Sequence, residues 1–147
     1  MYDLVVKLFP LCRSLTGNGV RETLQIVREH IPLQIYEVPT GTKAFDWVVP
    51  KEWNIWDAYI QDEQGNKIVD FKQNNLHVMG YSVPVDTYMT LEELQPHLYS
   101  FEEQPDVIPY MTSYYQSRWG FCMSHHQRVK LKEGRYRVVI QSELKEG

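Results

Sequence analysis

The sequence predicts an α+β chain whose helices lie mostly at the front, and three observations lead there. Apolar residues recur at helical spacing through the first thirty or so positions; from Pro39 onward they fall into short β-like runs broken by turn residues; and a capping signal near Thr90 interrupts those runs once. Leu4, Val5, Leu8, Leu11 and Cys12 make residues 2–12 an amphipathic helix that Pro10 can end early or kink. RSLTGNG breaks it. Asn18 is then the expected N-cap of a second helix, VRETLQIVREH, in which Val20, Leu24 and Val27 form an inner stripe and Glu22 sits in the first turn, where the helix dipole favours it. Pro32 closes that helix, and LQIYEV (33–38) alternates like a strand.

PTGTKAFDWVVP and WNIWDAYIQ continue as short strands. DEQG (62–65), between DAYIQ and NKIVDF, reads as a hairpin turn with its glycine where positive φ is most tolerated. QNN (73–75) turns the chain into LHVMGYSVPV, another expected strand. TLEELQPHL (90–98) carries a capping box, Thr90 as N-cap and Glu93 three residues later, and so a short helix. A strand is expected at WGFCM, and another, RYRVVIQSEL, follows Gly134.

At 147 residues the chain has the common size of a single domain, and a chain of this length buries roughly 70% of the surface its unfolded form exposes. Fifteen basic against 19 acidic residues give a net charge of -4 with no block of like charge, so neither nucleic acid nor an anionic membrane is an expected partner. No run approaches the roughly 20 apolar residues of a membrane-spanning helix, and no cleavage site follows the partly apolar start. Two cysteines, Cys12 and Cys122, permit at most one internal disulfide and suit the cytoplasm.

The stretch richest in chemistry is SYYQSRWGFCMSHHQRVKL (113–131). Cys122 and His125 stand in C-x-x-H spacing, but a structural zinc site needs four ligands, and Cys12, His30, His77 and His97 are each isolated along the chain. H-E-x-x-H is absent. A thiolate nucleophile at Cys122 would need a base such as His125 or His126, and alternation along a strand places Cys122 on the face of Gly120. TGNG (16–19), flanked by Arg13 and Arg21, offers free N–H groups at a helix start but has no third glycine and no preceding strand, so two glycines easing a turn is the simpler account. Tyr110, Tyr114, Tyr115 and Trp119 form either a stacking platform for a ligand or part of a core or seam.

Four stretches, RSLTGNGVRETL (13–24), VPTGTKAFDWVVPKEWNI (38–55), DFKQNNLHVMGYSVP (70–84) and IPYMTSYYQSRWGFCMSHHQRVKL (108–131), occur in one order. Together they resemble the bacterial aminopeptidase-like proteins of unknown function that combine a zinc aminopeptidase fold with an inserted β-rich domain. The resemblance implies that residues 1–36 are the opening helices and first strand of a peptidase-type α/β sandwich, and 37–147 the inserted domain plus a return strand. It also implies a zinc-dependent hydrolase of peptide or amide bonds, whose zinc ligands and catalytic glutamate lie downstream of the matched region. No catalytic or metal residue is therefore carried onto this chain, and no cofactor is expected in it. The inserted domain would restrict access to the active-site mouth, with Tyr114, Tyr115, Arg118, Trp119 and His125 as the expected substrate-binding residues. The alternative is a β-rich module that binds carbohydrate or a protein through surface aromatics.

Overall fold

The computed structural model describes residues 2–114 and 116–147; Tyr115, one of the expected substrate-binding residues, lies outside the described residues. The chain forms two compact units, Met1–Asn54 with Glu143–Gly147, and Ile55–Ser142.

In the first unit, α1 (Tyr2–Leu8) stops two residues before Pro10, and α2 spans Asn18–Arg28. Gly17, not Asn18, is the N-cap of α2. Its φ of 111° is a conformation glycine adopts freely, and the Asn18 N–H one residue on donates to Asn54 Oδ1 at 2.8 Å, so a side chain from β3 supplies the acceptor. Residues 33–38 form no strand, contrary to their alternation. Among the described residues no strand pairs with them; Tyr36 is exposed, and Glu37 instead accepts from Arg21 Nε at 2.7 Å. Two short strands, β1 (Lys43–Ala44) and β2 (Trp47–Val48), pair antiparallel.

Arg21 organises this unit electrostatically. Its guanidinium binds both oxygens of Glu52, a buried carboxylate at the start of β3 (Glu52–Gln61), and that of Glu37 through Nε. Those hydrogen bonds hold the Glu52 carboxyl below its ordinary range against the opposing effect of burial. The same bonds to Glu52, then to Glu37, raise Arg21 further above its already high value.

The second unit is built on a sheet of order β4-β3-β8-β5, where β4 is Lys67–Asp70, β5 Val85–Thr90 and β8 Arg135–Lys145. The hairpin at residues 62–65 stands as expected: β3 and β4 pair antiparallel and Gly65 takes φ 86°. Asp62 completes the turn, accepting from the backbone N–H of Gln64 and of Asn66. Strand β5 runs antiparallel to β8 from Val85↔Ile140 to Thr90↔Arg135. Ala58, Ile60, Val69, Val138 and Ile140 are fully buried on one side of this sheet, together with Leu94, Phe121 and Met123 from the segments that cover it.

The capping box forms at α3 (Leu91–Leu94): Thr90 Oγ1 accepts from Glu93 N while the Glu93 carboxylate accepts from Thr90 N. The long strand expected over 76–85 does not. A 3-10 turn occupies Asn75–His77, and Tyr81, buried with φ 64°, breaks the extended path so that β5 begins only at Val85. WGFCM contributes a two-residue strand, β7 (Phe121–Cys122), parallel to β6 (Leu98–Tyr99), and a short helix α4 (His125–Arg128) follows with its own capping box from Ser124 and Gln127.

Candidate functional site

The aromatic stretch stands on a base made of two segments of the second unit knitted together by their backbones. Met79 N donates to Gly120 O, Gly80 N to Met111 O, Ser113 N to Gly80 O and Val83 N to Arg118 O, at 2.8–3.2 Å. Ser82, fully buried, is the knot: its hydroxyl donates to Met79 O at 2.6 Å and accepts from Gly120 N at 3.2 Å, while its carbonyl accepts from Ser142 Oγ. His77 Nδ1 lies 2.8 Å from Cys122 O and must carry the proton, since a carbonyl only accepts. Burying this many polar groups is tolerable because each has a partner. The arrangement holds Tyr114 and residues 116–119 as a tip on a hydrogen-bonded support.

Gly120 makes the close approach possible: a Cβ there would stand 2.5 Å from the Tyr99 ring and 3.0 Å from His97 O. His97 and Trp119 stack face to face, centroids 3.6 Å apart at 7°, and His97 Nδ1 donates to Trp119 O at 3.2 Å. Phe121 meets the Trp119 ring edge-on at 6.4 Å. One face of Trp119 is thus covered by the protein itself, so this ring buttresses the tip and cannot offer both faces to a ligand. Tyr110 and Tyr114 are 70% and 72% exposed, and Tyr114 has φ 53°. Arg118 is exposed as well.

His125 belongs to a different cluster. Its Nδ1 lies 3.1 Å from Ser100 Oγ, which also accepts from Arg128 Nη1, and Arg128 ties to the Gln95 side chain and carbonyl. The five expected substrate-binding residues are therefore distributed as follows: Tyr114, Arg118 and Trp119 share the tip, His125 holds the α4 cluster, and Tyr115 lies outside the described residues.

Two chemistries weighed from the sequence lose their footing. Burial pushes the Cys122 thiol up to about 12, and both residues of its strand are enclosed, so it is a small core hydrophobe. In the native protein Cys122 should resist iodoacetamide and react only after denaturation; mass spectrometry showing it alkylated faster than a free thiol at neutral pH would contradict this. The TGNG loop spends its Asn18 N–H on Asn54, and both flanking arginines are engaged, Arg13 with Leu8 O and Arg21 with two carboxylates. Among the described residues, no group of three or more His, Cys, Asp and Glu stands close enough to hold a metal ion. Among the same residues no helix is long and apolar enough to cross a membrane.

One feature of the sheet escaped the sequence reading. Arg135 and Arg137 alternate with buried Tyr136 and Val138, and Tyr88 pairs with Arg137 across β5 and β8, so the three share the outward face. Period-two alternation in RYRVV carries that signal.

Comparison with known proteins gives the chain its relations. A protein of Clostridium acetobutylicum, provisionally named a polysaccharide biosynthesis protein with aminopeptidase-like domain, is 56% identical over all 147 residues, which cover 34% of its length. The crystal structure of a provisionally named peptidase from the same species superposes with a TM-score of 0.96 at 56% identity, covering 99% of this chain and 35% of that one. The chain thus spans about a third of the length of the relatives it matches. Residues 52–143 match the family model described as a domain of unknown function, DUF2172, and the chain belongs to that family.

Proposed function

We propose that the chain is the N-terminal portion of a zinc-dependent aminopeptidase-like hydrolase, in which it shapes the substrate cleft while the metal ligands and catalytic base reside elsewhere in the longer protein. On this reading residues 1–36 contribute helices to the peptidase framework, and 37–147 form the β-rich inserted domain with its return strand. The observation that carries it is the poor burial of the first unit. Helix α1 has no buried residue, and Tyr2, Val5, Val6, Phe9, Leu15 and Ile31 are all more than half exposed. A helix with the apolar stripe of a core element, on which Leu4 and Leu8 are only half-buried and Val5 is exposed, is incompletely covered. The relatives, three times as long and named for peptidase-like activity, have the polypeptide to provide one.

The zinc would polarise the scissile carbonyl and activate a water in the cytoplasmic full-length protein. This chain's own share is at the rim: Tyr114 and Arg118, exposed on their braced tip, contact a peptide or amide substrate, with Trp119 setting the tip's position. The test compares metal content and release of N-terminal amino acids in the longer protein and in the 147-residue chain. The longer protein is expected to hold zinc and cleave; the chain, neither. Arg118→Ala in the longer protein should raise KM about tenfold with kcat little changed, the mark of lost binding alone. Tight zinc binding with hydrolysis by the 147-residue chain, or a longer protein that binds no zinc and cleaves nothing, overturns the reading.

A further inference from the structure

A cleft of about 510 Å³ opens on the outward face of the four-stranded sheet at its hairpin end, lined by Gln61, Asp62, Glu63, Tyr88, Arg135 and Arg137 and by Gly65. That volume falls in the usual range for small-ligand sites. Most of the polar groups lining it are already committed. Asp62 caps its own turn through three hydrogen bonds from Gln64 and Asn66. Glu63 Oε1 accepts the Arg135 backbone N–H at 2.9 Å, and Arg137 forks onto Asp86 at 3.3 and 3.4 Å with its guanidinium 6.0 Å from the Tyr88 ring centroid. The Gln61 amide donates to Gly65 O, which leaves its oxygen to accept.

What remains uncommitted is specific. The Arg135 guanidinium makes no close ion pair among the described residues, although it stands near enough to Glu93 to help hold that carboxyl low, whereas Arg137, two positions along the same face, pairs directly with Asp86. Tyr88 is 61% exposed beside it. A planar, permanently charged fork matches a carboxylate bidentately, an aromatic ring matches the C–H face of a pyranose, and an amide oxygen matches a hydroxyl donor. Carboxylate, C–H face and hydroxyls occur together on acidic sugars, of which the uronic acids are the simplest. A cation is disfavoured there, since the two acidic side chains already accept from backbone N–H groups and two guanidinium groups stand beside them.

We propose that this cleft binds an acidic sugar unit of a saccharide chain, with Arg135 taking the carboxylate, Tyr88 the ring face and Gln61 a hydroxyl. The cleft lies wholly within the second unit, and its role is independent of any peptidase chemistry in the longer protein. The test is a calorimetric and NMR titration of the 147-residue chain with trigalacturonate in low salt, with maltotriose and acetate as controls. Saturable binding of trigalacturonate that weakens as salt rises is expected, with maltotriose and acetate at least about tenfold weaker. Arg135→Ala and Tyr88→Ala should each weaken it about tenfold, and Arg135→Lys should recover only part of the loss because the fork is gone. Both side chains are exposed, and unchanged circular dichroism and melting would show that folding is intact. Absence of saturable binding, binding indifferent to both alanine variants, or maltotriose or acetate binding as tightly as trigalacturonate overturns the proposal.

Discussion

Gly17→Ala is expected to destabilise the first unit by about 3 kcal/mol, by combining a backbone penalty of about 1–2 kcal/mol with the cost of a clash. The residue sits at φ 111°, and a Cβ there would meet the carbonyl oxygen of Trp53 at 2.5 Å and Asn54 Oδ1 at 3.1 Å. Neither neighbour can yield cheaply. Trp53 is buried in β3, and Asn54 Oδ1 is the acceptor for the first turn of α2, so moving it uncaps that helix. Gly41→Ala is the control: φ is 84°, yet nothing lies within 4 Å of its Cβ, and only the backbone penalty of about 1 kcal/mol should appear. Urea unfolding followed by tryptophan fluorescence measures both. Equal losses for the two variants would show that the close approach to Trp53 carries no energy.

Arg21→Met should cost a similar amount, about 3 kcal/mol, because it keeps the helical side-chain volume but leaves Glu52 buried without its partner. The side chain of Glu52 is 8% exposed against 42% for Arg21, so the loss comes chiefly from the carboxylate's desolvation, and the half-exposed arginine brings the figure to the lower end of the usual range for a broken buried pair. The pH dependence follows in sign. The Glu52 carboxyl is held below its ordinary 4.5, so the unfolded chain binds the proton more readily than the folded one. Its contribution to stability is complete above about 4.5 and is lost as pH falls through the depressed folded value. In Arg21→Met that acid-limb loss should vanish or reverse, because the desolvation that raises the carboxyl then outweighs the remaining pull of Lys145; adding Glu52→Gln should recover part of the deficit. A stability profile between pH 2 and 7 with the same acid slope in wild type and variant would refute the pairing as its source.

The two long strands of the sheet and the hairpin joining β3 to β4 were legible because alternation, turn chemistry and glycine placement agree there. Thr90 and Glu93 marked α3 for the same reason: the capping box is local, and needs nothing from the rest of the chain. The failures share a cause. LQIYEV alternates, but a strand requires a neighbour, and its residues turn to Arg21 and solvent. LHVMGYSVPV alternates too, yet Ser82 bonds back to Met79 and forward to Gly120 and Ser142, contacts that no window on the sequence exposes. At the candidate site, the aromatic character of 113–122 was visible, but its division into braced and displayed rings was not. His97 lies 22 positions from Trp119, and only the fold stacks them.

The order β4-β3-β8-β5 has a consequence for how the protein is made. One of the two inner strands of the sheet, β8, is the last of the described strands to be translated. Until it emerges from the ribosome, the β3–β4 hairpin and β5 each carry a row of unsatisfied backbone groups, the kind of edge on which nascent chains associate wrongly. Assembly must wait for Arg135–Lys145 to slot between them, closing a loop from β5 that contains α3, α4 and the whole aromatic tip. Such non-local closure belongs to the slow, millisecond-to-second class of folding reactions, and it makes the final strand the step that commits the sheet.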